Sequence, residues 1–233
     1  MAAVALAITA GQGFGVVYFN DGNIHNVDYK ILEQVEVGND PTTNNPTALN
    51  LLQGSSTRLS VNNYDNSTTT LAGGSILGSL QLNDYASAQL LTGTISYQLM
   101  AYQNSTAVVD GGNIGEYIIV LNSANVEIFG GSIGSGIRVG QHSDNPIATF
   151  NAVTIYGRDF MVDGNPVEYG EFHSQLGGSL FKEPTRHVSG ILSSGEELDT
   201  DFWVGQNGTI LLIPEPATLL LLGLGAVMLR KRR

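Results

Sequence analysis

The sequence predicts an all-β chain. Its fold class is a short parallel β-helix of about 19 residues per coil, with a small C-terminal antiparallel β cap and a C-terminal hydrophobic helix. Three observations carry that expectation. The stretch 65–140 repeats every 19 residues, as 65–83, 84–102, 103–121 and 122–140. Apolar residues fall into columns across those repeats. Glycine, Asn, Ser and Asp fill the breaks between them, where turns are needed.

The columns are explicit. One reads Ile76, Ile95, Ile114, Ile133. Five residues earlier stand Leu71, Leu90, Val109, Ile128. Four residues later stand Leu80, Leu99, Ile118, Ile137, followed by Leu82, Ala101, Val120, Val139. Positions such as 80 and 82 alternate with polar or small ones, which is the spacing of a strand. One coil cannot bury enough apolar surface alone, so stability is shared between neighbours. Gly74, Gly93, Gly112 and Gly131 precede the isoleucines. A glycine column implies positive φ or a backbone approach too close for a Cβ. The polar column Asp65, Asp84, Gln103, Asn122 belongs at another turn, as solvated side chains or as a ladder bonded along the axis. The competing fold is an antiparallel β-sandwich, whose strands need not keep one spacing.

Residues 16–165 are assigned to the β-helix and 166–213 to the cap. Val16–Phe19 reads as a strand, closed by Asn20-Asp21-Gly22. Ile31, Val35 and Val37 suggest another strand, and 39–47, with Pro41 and Pro46, a loop. Leu52, Thr57 and Val61 lie 19 residues before Leu71, Ile76 and Leu80, which makes a degenerate coil. After an interruption at 141–146, Phe150 and Ile155 resume the five-residue offset as a last imperfect coil. The cap is read as three strands, around Val188, Ile191 and Leu192, then Phe202-Trp203-Val204, then 209–213, with Trp203 as its core anchor.

Residues 1–15 are small and apolar and read as a signal-peptide remnant, with Ala10 at the cleavage position. The basic n-region is missing, so a start misassigned upstream and a first buried strand stay open. The chain has no cysteine, hence no disulfide or Cys-based metal site. Six basic and twenty acidic residues precede Pro214. Such a body repels nucleic acid and anionic lipid.

The end of the chain has three parts. Pro214-Glu215-Pro216 leads into an uncharged run from Ala217 to Leu229, and Arg230, Lys231, Arg232 and Arg233 close it. A 13-residue helix spans about 20 Å, short of a hydrocarbon core near 30 Å. The basic end stays cytoplasmic and the acidic body lies outside. This arrangement resembles the PEP-CTERM sorting signal of Gram-negative bacteria, with Ile213 where that family often has valine. The resemblance implies recognition by a membrane-embedded exosortase and cleavage near Pro-Glu-Pro. It also implies transient inner-membrane contact, then release or attachment at the cell surface, and an association with exopolysaccharide and biofilm. Tails of this kind are sometimes labelled after ice-binding proteins, although the tail itself would not bind ice.

No catalytic constellation is recognisable, and the expectation is a protein that is not an enzyme and needs no cofactor. His25, His142, His173 and His187 are scattered without metal-ligand spacing. Asp110, Glu116 and Glu127 occupy different columns, so no acid–base pair is stacked. Glu196-Glu197 and Asp199 to Asp201 flank a turn as solvated charge. No EF-hand or nonapeptide calcium repeat is present. Ice binding would need an outward Thr ladder. The column Ser75, Thr94, Asn113, Ser132 offers one only around Thr92-Gly93-Thr94. The leading reading is a surface or matrix protein. The alternative is a polysaccharide-binding or polysaccharide-degrading protein on the same scaffold.

Overall fold

The structure, a computed structural model, describes residues 15–140, 150–173, 185–205 and 207–215. Those residues are all-β, and parallel strand pairing dominates. The segment read as a signal remnant, apart from Gly15, and the predicted C-terminal helix lie outside the described residues.

Strands stack into three faces. The long face begins with Ile24–Val27 and Ala48–Leu52. It continues through the first halves of Thr68–Ile76 and Ser87–Ile95, then Thr106–Val109, Asn125–Ile128, Asn151–Val162 and Gly208–Pro214. The short face is two residues wide, from Lys30–Ile31 and Ser56–Thr57 to Asn113–Ile114 and Ser132–Ile133. The third face starts at Val16–Phe19 and Gln34–Val37. It runs through Val61–Asn63, Leu80–Leu82, Leu99–Ala101, Tyr117–Val120 and Gly136–Val139.

Alternation decides what is inside. In Asn125–Ile128, Val126 and Ile128 are buried while Asn125 is exposed and Glu127 half-buried. Ile76, Ile95, Ile114 and Ile133 are consecutive register partners, and Ile31 and Thr57 extend that column upstream. Each buried aliphatic contributes about 1.5–3 kcal/mol, and the stack forms one continuous core.

The corner leading from the third face to the long face sets the coil's shape. Asp65, Asp84, Gln103 and Asn122 sit there with φ of 56°, 57°, 58° and 57°. Asn and Asp tolerate this left-handed region better than most residues. Two positions further on, Ser67, Ala86, Ser105 and Ala124 are fully buried, and small side chains fill that tight bend. The same corner takes insertions. Residues 39–47 leave and return there, and the next coil still pairs in register.

Three expectations need correction. Leu51, not Leu52, faces Leu71, because the register shifts by one at Leu52. Ile155 faces Ile128, so it belongs to the leucine column and not the isoleucine column, and Phe150 is 82% exposed. The segment 166–213 is only partly an antiparallel cap. Phe202-Trp203-Val204 adds in parallel to Ile137-Arg138-Val139, and Gly208–Pro214 adds in parallel to the first half of Asn151–Val162. The antiparallel part is Arg186–Leu192, between Asn151–Val162 and Glu197–Val204, together with Gly170–His173 on Gly208–Pro214. Trp203 is buried, but its register partner is Arg138, whereas Phe202 continues the Ile137 column.

Candidate functional site

The last strand carries the chain to its terminal segment. Gly208–Pro214 pairs along its whole length with Asn151 through Gly157. Its opposite edge pairs antiparallel with Gly170–His173. Pro214 is tolerated because it is the final strand residue, opposite Gly157, where a missing N–H costs least. Glu215 follows at once, and its Oε1 accepts a hydrogen bond from Arg158 Nε at 3.2 Å. Arg158 Nη1 also donates to Asp159 Oδ2 at 3.3 Å. The guanidinium is therefore shared between two carboxylates. Its side chain is 54% exposed, against 22% for Glu215. Pro216, Arg230, Lys231, Arg232 and Arg233 lie outside the described residues. Among the described residues no helix is long and apolar enough to cross a membrane.

The glycine column is a zone of close approach. Gly93, Gly112 and Gly131 have φ of 112°, 84° and 89°. A Cβ on Gly112 would lie 2.8 Å from the Gly93 carbonyl oxygen. Gly74 departs from the column. Its neighbour Gly73 takes the left-handed conformation, at 99°, while a Cβ on Gly74 would strike Ser55 and Leu51.

Polar groups on the surface are tied individually. Gln89 donates to Asp110 at 2.8 Å, Gln98 to Glu116 at 3.2 Å, and the Tyr156 hydroxyl to Glu127 at 3.2 Å. Burial and the Glu127 carboxylate both raise the Tyr156 pKa. At the polar corner the Asp65 N–H donates to Asp84 Oδ2 at 3.4 Å, and the Asp84 N–H donates to Gln103 Oε1. Each side chain thus caps the backbone of the coil before it. Ser75, Thr94, Asn113 and Ser132 stack in register, and Ser132 Oγ donates to Asn113 Oδ1 at 2.9 Å.

Histidines follow their carboxylate neighbours. His25 Nε2 lies 2.7 Å from Asp21 Oδ1. Partial burial raises the Asp21 pKa, but bonds from Asn23 and His25 outweigh it and bring it down to about 2. His187 faces two carboxylates, Asp201 through Nδ1 at 3.0 Å and Asp199 through Nε2 at 2.7 Å. Both bonds raise its pKa. Its backbone N–H and Arg186 both bond Asp163 and hold that carboxyl below its usual range. Glu196 bonds Ser194 at 2.9 Å and accepts from the Gly131 N–H, which pins the 193–196 turn to the stack. His142 lies outside the described residues, as does the side chain of His173. Among the described residues no group of three or more His, Cys, Asp or Glu side chains has metal-holding geometry.

Two features were not read from the sequence. The Arg158–Glu215 pair spans 57 residues, and no local pattern marks it. The core also holds polar groups. Asn63 and Thr69 are buried, and Thr69 Oγ1 donates to Asn63 Oδ1 at 2.9 Å. They stand one coil before Leu82 and Ala88, so column comparison could have marked them.

A β-rich body whose last strand leads straight into Pro-Glu-Pro, an uncharged run and four basic residues defines a class: a protein delivered by a C-terminal sorting signal. The particular signal is the PEP-CTERM protein-sorting motif, which matches residues 212–233. The motif implies export, a transient membrane anchorage and sorting by an exosortase, a membrane protein. No curated protein and no solved structure matches the chain.

Proposed function

We propose that this is an exported, non-enzymatic cell-surface or extracellular-matrix protein with a parallel β-helical body. The exosortase removes its hydrophobic helical tail near Pro214-Glu215-Pro216, and the body then serves at the surface among exopolysaccharide. The observation that carries the reading is the PEP-CTERM motif at 212–233, entered directly from the last strand of the body. The individually tied carboxylates of the long stack also support a non-catalytic role, since hydrolysis of a glycosidic bond needs two acting together.

One observation favours the glycan-binding alternative. Tyr18, Tyr29, Tyr85 and Tyr97 are all more than half exposed along an acidic body. Tyrosine rings present an apolar face and a polar tip, which suits neutral sugars. The test is expression of the full chain in its native host, with intact mass and cell fractionation. A surface product lacking 219–233 is the expected result. A product still bearing Arg230 to Arg233 overturns the sorting reading. Retention of the processed protein on the host's own exopolysaccharide separates matrix binding from simple display.

A further inference from the structure

The described start of the sorting motif, through Glu215, is tied to the body. The strand that leads into it is paired along one edge with Asn151 through Gly157, as far as Pro214, and along the other with Gly170–His173, from Thr209 to Leu212. An enzyme that takes a peptide in extended form needs those edges open. Glu215 is the only charged residue of Pro-Glu-Pro, and its carboxylate bonds Arg158 at 3.2 Å. The group through which the motif can be read electrostatically is therefore engaged by the protein itself.

We propose that Arg158 is a positioning residue for sorting: by holding Glu215 on the folded body it withholds the motif, and its release sets how fast the exosortase engages the tail. This rests on the sorting reading above. Asp159 tunes the hold, because its carboxylate draws on the same guanidinium at 3.3 Å. Arg158 bonds both at once, through Nε to Glu215 and Nη1 to Asp159, so the Asp159 carboxylate offsets part of the positive charge that holds Glu215.

The geometry makes the two neighbours act in opposite directions. Arg158→Ala removes the hold. Asp159→Asn removes the competing negative charge, keeps a neutral acceptor for Nη1, and leaves Glu215 as the one charged partner of the two. Asp159 has φ 55°, a conformation that Asn adopts readily, so that exchange leaves the backbone unstrained. The experiment is a pulse–chase of the full chain in its native host, following conversion of the longer to the shorter form. Arg158→Ala is expected to convert about two- to fivefold faster, the span of an exposed ion pair. Asp159→Asn is expected to convert more slowly than the wild type, and Arg158→Lys to fall between Arg158→Ala and the wild type. A general loosening of the body would speed both Arg158→Ala and Asp159→Asn, and that outcome overturns the proposal. So does Arg158→Ala converting no faster than the wild type. A wild-type chain that is never converted sinks the sorting reading as well, whereas normal conversion with no Arg158 effect sinks this inference alone.

Discussion

The glycine column allows two steric costs to be separated in one protein. Gly112 and Gly195 have nearly the same φ, 84° and 90°. Around Gly195 a Cβ would meet nothing within 4 Å, whereas on Gly112 it would sit 2.8 Å from the Gly93 carbonyl oxygen. Gly195→Ala therefore reports the conformational cost alone, about 1–2 kcal/mol for an L-residue in that region. Gly112→Ala carries the same cost plus displacement of the coil beneath, about 1–3 kcal/mol more, the usual penalty of overpacking. For a body of this size each kcal/mol moves Tm by roughly 2–4 °C. The expected order is wild type, then Gly195→Ala lower by about 2–8 °C, then Gly112→Ala lower by a further 2–12 °C or so. Gly112→Val should fall below both, since β-branching is least tolerated there. Ser135→Val, at a half-buried turn, should stay near the wild type. Calorimetry or circular dichroism of the purified variants gives the ranking. Equal melting temperatures for Gly112→Ala and Gly195→Ala would refute the idea that the column exists for close packing of coils.

Two other outcomes follow from buried and paired groups. Thr69→Val alone should destabilise by about 1–3 kcal/mol, because Asn63 loses its buried donor. The double change Asn63→Leu with Thr69→Val should melt above that single variant and at or above the wild type; a double variant less stable than the single one would contradict the apolar register of that column. His187 gains two carboxylate partners on folding, so its raised pKa makes it a contributor of stability that is complete below about pH 6.5 and lost as pH rises through the folded value. The Tm gap between the wild type and His187→Gln should thus be wide in mildly acidic buffer and narrow in alkaline buffer, and a gap independent of pH would show that the Asp199 and Asp201 contacts do not need the imidazolium.

The stack was legible wherever the repeat length held. Ile76, Ile95, Ile114 and Ile133 pair in sequence because no residue is gained or lost between them. Legibility failed at insertions. The extra residues between Val139 and Asn151 broke the count, and Ile155 was read into the isoleucine column. Only the alternation Val153-x-Ile155, matching Val126-x-Ile128, carries the true register. The same applies to Phe202, which continues the Ile137 column after a gap of 65 residues. That distance is no multiple of 19, so the strand looked like part of a separate cap. The tail motif was legible because it is contiguous, whereas Arg158 meets Glu215 only through the fold.

The corner that admits residues 39–47 has a practical consequence. Foreign peptide placed there would project sideways from the spiral while coils above and below keep their pairing, since doubling such a loop costs only about 0.6 kcal/mol. Coupled to a tail that addresses the chain to the envelope, that bend is a natural mount for displaying an epitope or an enzyme on a living cell.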